Sequence, residues 1–274
     1  MASASQDKLS EVHRTAFYAA AMRAGHFLQG AEPKIFSDEF ALRLTDYTAE
    51  EAIAFTAKVP QSAASTAVLR SRFTEEHLAA ARERLHQYVV LGAGLDSYVL
   101  RMADQLGSLI VYEVDDPPFQ AWKRQRIEAL GLKVPQQVRF VPCDFERMSI
   151  DEALAKCGFA ADKPCFTSWL GVTQYLTPEA CLETLRWAAR RPPGSEIVLT
   201  FVEPDAEAER RAATQALVTY LSYYSEAEMT RLLKELGFSR IEMLTRTKAQ
   251  QTYFQHRSDG LEAPEFQRVV SAIV

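Results

Sequence analysis

Five short apolar runs, YVVLGAG, LIVYEVD, VRFVPCD, CFTSWLG and SEIVLTFVE, follow one another from Gln87 onward. Charged helical segments such as FQAWKRQRIEALG and CLETLRWAARR stand between them. Strand and helix in alternation build a mostly parallel sheet covered by helices on both faces, an α/β fold. The 274 residues are 47% hydrophobic, ample for one large domain spanning 1–274. Ala-rich runs such as RTAFYAAAMRA, and the later STAVLRSRFTEEHLAAARERL, predict helices over 1–85, and the strand–helix core occupies 86–204. Residues 205–274 are expected to add a helical insertion after strand five, DAEAERRAATQALVTYLSYY, and two closing strands, RIEMLT and TYFQHR. Thr48 with Glu51, and Ser225 with Glu228, have capping-box spacing; Thr177 precedes Pro178 as an N-cap, and Gly237 is a helix stop.

The first of these strands runs into VVLGAGLDSYVLR, where Gly92 and Gly94 fall at its carboxyl end. In an open α/β sheet that end is where ligands sit, and glycine lets the backbone turn sharply against one. The dinucleotide fingerprint asks for Gly or Ala at the sixth position, where this chain has Ser97. Asp96 also puts a carboxylate where a pyrophosphate would need positive potential. A cofactor carrying positive charge is favoured instead. The second strand ends in YEVDDP, with Glu113 and Asp115 about twenty residues past the glycines, a spacing suited to holding ribose hydroxyls. The third ends in VPCDFE, where Asp144 could accept from an adenine amino group. Taken singly, such a turn is plain architecture and such acids are helix caps. Their joint order points to adenine and ribose without phosphates, which is the description of S-adenosylmethionine.

The net charge of −5, with scattered basic residues, argues against a nucleic-acid partner. The apolar runs are too short to cross a bilayer, and MASASQDKLSEVHR lacks the apolar block of a secretory signal. The four cysteines show no CxxC pairing or accompanying histidine pattern, so neither a zinc site nor a disulfide framework is expected, and a cytoplasmic protein is. Nothing in the pattern demands a partner subunit.

LGAGLDSYVLR, VYEVDDPPFQAWKRQRI, FVPCDFE and WLGVTQYLTPEACLETL resemble the leucine carboxyl methyltransferase family, most closely its bacterial and fungal members that act on small molecules. The resemblance extends weakly to TAFYAAAMRAG, FSDEFALRL, LLKELGF and TYFQHRSDGL. It implies a Rossmann-like class I methyltransferase fold with a seven-stranded sheet, S-adenosylmethionine as donor and a carboxylate as acceptor. By position it implies that Arg70 grips the methionine carboxylate, Gly92 and Gly94 form the turn, Asp115 binds ribose, and Asp144 with Phe145 contacts adenine. Arg23 sits near a basic residue used around the active site of other members. Many members carry a glutamate where this chain has Leu170, and a backbone carbonyl near Gly92 or Leu170 could take over its role.

A carboxylic acid, with a pKa of about 4, needs no general base, whereas a phenol, at about 10, gains from one. None of the five histidines falls in a strand-end segment. His77 and His86 are expected on solvated helical faces, and the terminal His13 and His256 stay as candidates. The carboxylate is therefore preferred. Arg23, Arg72 and Arg257 could bind it, with Trp169, Tyr175 and Tyr253 completing the acceptor pocket. A phenol or hydroxyl methyltransferase and a non-catalytic S-adenosylmethionine-binding protein remain as alternatives. The N-terminal helices and the stretch around 205–224 are expected to cover the site as a lid.

Overall fold

The computed structural model describes residues 10–145, 147–204 and 220–274. Four helices come first: α1 (Glu11–Gln29), α2 (Ala41–Leu44), α3 (Ala49–Lys58) and α4 (Gln61–Ala81). The Thr48–Glu51 capping box that starts α3 is present in both directions. Helix α1 packs against both α3 and α4.

The core follows as β1 (Gln87–Leu91), α5 (Tyr98–Arg101), β2 (Ile110–Asp115), α6 (Pro117–Ala129), β3 (Val138–Pro142), α7 (Ile150–Ala155), β4 (Phe166–Trp169), α8 (Pro178–Ala189) and β5 (Glu196–Val202). It closes with α9 (Glu226–Glu235), β6 (Arg240–Leu244), the short α10 (Arg246–Ala249) and β7 (Gln267–Ile273). The seven strands lie in the order β3-β2-β1-β4-β5-β7-β6, with β7 antiparallel to both neighbours and the pairs among β1 to β5 parallel. The order reverses between β1 and β4, so the loops leaving those two strands diverge and open a crevice at their carboxyl ends.

Each strand has two covered faces. Tyr88 and Val90 enter a core with Phe17, Leu69, Phe73 and Phe119, on the side of α1, α4 and α6. Val89 and Leu91 point the other way, toward Leu154 of α7, Leu185 of α8 and Leu233 of α9. The Thr177 cap with Pro178 and the Ser225–Glu228 capping box both form, and Gly237 adopts φ +95° directly after α9.

Two expectations at the C-terminal end need correction. TYFQHR is not a strand: Thr245 caps a helical stretch, which continues as a π-helical turn over Gln250–Phe254 and buries Phe254. The second closing strand is instead QRVVSAI, a run buried on both faces between β5 and β6. The helix expected over 205–224 lies outside the described residues as far as 219. Tyr220–Tyr224 is not helical, and its backbone is tied to the sheet end through Leu221 N–H to the Gln174 carbonyl (2.7 Å) and Tyr224 N–H to the Val202 carbonyl (2.9 Å). All four cysteines are free, and no helix among the described residues is long and apolar enough to cross a membrane.

Candidate active site

The crevice is a cleft of about 580 Å³ at the ends of β1 to β4. Gly92 (φ +67°) and Gly94 (φ +48°) form its floor in a backbone region that favours glycine. A Cβ on Gly92 would fall 2.4 Å from Val172 Cγ2, so the turn leaves no room for a side chain there. Opposite, the Asp115 carboxylate is pinned at the rim by the N–H groups of Gly94 and Asp116, the latter at 2.7 Å. Burial pushes its carboxyl up, and the two N–H groups pull it back. Asp96, Asp144 and Phe145 also line the cleft; Asp96 Oδ1 accepts from the Tyr98 N–H at 2.8 Å.

Arg70 reaches the cleft from α4. Its guanidinium lies against Gly171 (φ +71°), where a Cβ would come 2.3 Å from Nη1. Gly171 is itself held by a 2.7 Å bond from its N–H to Thr200 Oγ1. No carboxylate lies within ion-pair distance of Arg70 among the described residues, and burial lowers its pKa to about 10. A buried cation without a counter-charge is costly unless a ligand supplies one.

A second cavity of about 220 Å³ adjoins the cleft, sharing Thr15, Ala19, Arg70, Gly171 and Tyr175. Beyond that shared wall its lining is largely apolar and drawn from α1, α3, α4 and the turn joining α3 to α4, with Gln174, Tyr220, Phe266 and Gln267 closing the rest.

The structure thus brings Arg70, Gly92, Gly94, Asp96, Asp115, Asp144, Phe145, Leu170, Arg23 and Tyr175 to one cleft. Five other expected residues lie elsewhere. Glu113 is on the same face of β2 as Asp115 but one pleat deeper, where Lys123 Nζ of α6 meets its carboxylate at 2.7 Å and seals it from the cleft. Trp169 points to the opposite face of the sheet and is wholly buried in the core beside Leu199. Tyr253 donates to Glu76 on the outer side of α4 (2.5 Å). Arg257 pairs with Asp259 and donates to the carbonyls of Pro33 (2.9 Å) and Ala31 (3.1 Å), stapling that loop. Arg72 is half-exposed and pairs with Glu76 at 2.6 Å.

Arg23 lines the cleft, but its charge is spent within the protein. Nε donates to Asp38 at 2.8 Å and Nη2 to the Leu95 carbonyl at 2.8 Å, so it braces the glycine turn from behind. His13 lines the cleft with Nε2 3.2 Å from Asp116, its ring stacked on Phe119. His256 is exposed away from it, as is His86. His77 is not a solvated bystander: its Nδ1 lies 2.7 Å from Glu196, a buried carboxylate at the start of β5. Sequence reasoning missed the cavity wall of Tyr18, Met22, Phe55, Val59, Ala63 and Ala67. The i, i+4 spacing of Tyr18 with Met22 and of Ala63 with Ala67 marks a shared helix face, though not what that face covers.

The sequence model described as "Leucine carboxyl methyltransferase" matches residues 16–189. A Bacillus subtilis (strain 168) protein described as "Putative S-adenosyl-L-methionine-dependent methyltransferase YktD" is 30% identical over 198 residues, covering 68% of this chain and 65% of that protein. A protein of the same general description from Mycolicibacterium gilvum (strain PYR-GCK) is 37% identical over 140 residues, covering 49% and 44%. The chain therefore spans less than two thirds of the length of either relative. Among solved structures, a "putative methyltransferase" from Thermobifida fusca YX superposes with a TM-score of 0.59 at 15% identity, covering 92% of this chain and 93% of that one, a likeness of fold.

Proposed function

The chain belongs to the leucine carboxyl methyltransferase family, and on that premise we propose that it methylates the carboxylate of a small molecule, with S-adenosylmethionine as donor. The observation that carries this reading is the Arg70 guanidinium, which has no carboxylate partner among the described residues and forms the wall between cleft and cavity.

The cleft suits the donor's charges. Arg70 would hold the methionine carboxylate, and Asp96, the acid that acts on Arg70 electrostatically, would face the ammonium. Asp115, fixed by two N–H groups, keeps lone pairs for the ribose hydroxyls, and Asp144 with Phe145 would meet the adenine. When bound, the donor supplies a methyl carbon activated on a sulfonium: an acceptor oxygen lone pair forms the new C–O bond as the C–S bond breaks, and that electron pair returns to sulfur. A carboxylate acceptor enters already ionised, so no residue has to move a proton. What remains for the protein is alignment, worth roughly 7–11 kcal/mol in well-oriented reactions. Tyr175, which lines both cleft and cavity, would donate to the acceptor carboxylate and turn its free oxygen toward the cleft.

The competing reading, methylation of a phenol or alcohol, needs a base beside the acceptor. His13 is in the donor cleft, turned to Asp116, and does not line the cavity. The two readings separate by pH. With a carboxylic acid the account expects kcat/KM to stay level between about pH 7 and 9, because the acceptor's ionisation, at about 4, is complete. An ether product, or a rate climbing about tenfold per unit toward a phenol pKa of about 10, would identify the other chemistry.

A further inference from the structure

Resting on the reading of the second cavity as the acceptor pocket, we infer that the acceptor is a carboxylic acid bearing a single apolar ring on a short chain, and neither a long-chain fatty acid nor a peptide C-terminus. Three observations carry this. The first is volume. An apolar protein cavity of about 150 Å³ accommodates benzene. The space here is about 220 Å³, enough for one ring with a short chain.

The second is the position of charge. Gly171 and Tyr175 line cleft and cavity alike, whereas Ala63 and Ala67, one turn apart on α4, line the cavity alone, so the end that meets the donor lies at the shared wall and the far end is apolar. An occupant with its carboxylate at that shared wall therefore has its apolar part beside Ala67 and Ala63. The third is the wall facing that part. Tyr18 and Phe55 are stacked at 5.1 Å and 19° between planes, and Tyr47 continues the stack behind Phe55 at 6.2 Å and 18°. Tyr18 and Phe55 thus bring aromatic side chains, held in place by stacking, to the cavity wall, where a further ring can pack against them.

The test uses the full chain with S-adenosylmethionine and five probes: 3-phenylpropionate, 3-cyclohexylpropionate, decanoate, a short peptide ending in leucine, and 4-propylphenol. Products are identified by mass spectrometry as ester or ether. The ring acids should be esterified with kcat/KM at least about tenfold above decanoate and the peptide, the discrimination a fitted apolar pocket gives. Ala63→Leu, which fills the apolar end, should cut ring-acid turnover at least about tenfold while S-adenosylhomocysteine affinity measured by calorimetry stays within about threefold. That retained binding also reports that the variant is folded. Preference for decanoate or the peptide, or Ala63→Leu kinetics equal to wild type, overturns the inference. Methylation of 4-propylphenol in place of the acids overturns the carboxyl reading while leaving the one-ring pocket standing. Turnover of none of the probes by protein that binds S-adenosylhomocysteine overturns both.

Discussion

Arg70→Met is expected to weaken S-adenosylhomocysteine binding by about 100-fold while leaving the free protein as stable as wild type, or more so. The binding loss follows from removing one partner of a buried charge pair, a change that costs about 2–5 kcal/mol, with each 1.4 kcal/mol worth a factor of ten. The stability result follows from the state of Arg70 before ligand arrives. Burial lowers its pKa to about 10, and no carboxylate lies within ion-pair distance of it among the described residues. The thioether of methionine fills similar space with no charge to desolvate. An ordinary structural arginine would give the reverse pattern, with stability lost and binding little changed. Calorimetric titration with S-adenosylhomocysteine and a urea melt on the same preparation distinguish them. Affinity within about threefold of wild type would remove Arg70 from the donor site.

Lys123→Met is expected to destabilise the fold by about 3–5 kcal/mol at neutral pH, the usual consequence of stranding one member of a buried ion pair. Lys123 and Glu113 are both almost wholly buried, 2.7 Å apart, and Glu113 Oε1 has no hydrogen-bond partner in the protein. Burial already raises the Glu113 carboxyl above its ordinary 4.5, with Lys123 opposing that shift. Without the lysine, the folded state therefore binds a proton that the unfolded chain has released across the window from about 4.5 upward. Stability of the variant should accordingly fall as pH rises through that window and level off above the raised folded pKa, so its deficit is smallest in acid. Lys123→Met combined with Glu113→Leu, which removes both charges, should regain most of the loss. Urea unfolding of the three proteins across pH measures this. A single variant within about 1 kcal/mol of wild type at pH 7, or a deficit that grows in acid, would contradict it.

The fate of Glu113 also marks how far sequence reaches. Strand alternation correctly brings Glu113 and Asp115 to one face of β2, and glycines at the end of β1 with acids at the ends of β2 and β3 converge because parallel strands share a carboxyl rim. Which of two acids stands at that rim depends on where α6 begins, and α6 starts at Pro117 and lays Lys123 over the deeper one. Trp169 illustrates a second limit. It ends β4 at the site, yet only the sheet's pairing decides which face it enters. Tyr253 and Phe254 have strand propensity, but a Thr245 cap just upstream and burial of Phe254 against the core prevail locally. The cavity wall was illegible for a different reason. Tyr18, Phe55 and Ala67 sit on three different helices, and only tertiary packing shows that their faces meet.

The claim on which the rest depends is that the cleft between Arg70 and Asp115 is a donor site. It is tested most directly by titrating ligand-free wild-type protein with S-adenosylhomocysteine by calorimetry, alongside Asp115→Ala. One site per chain with a Kd of about micromolar or tighter is expected, and loss of that binding in the variant. A folded wild-type protein that gives no heat and no binding would contradict it, leaving the glycine turn as architecture alone.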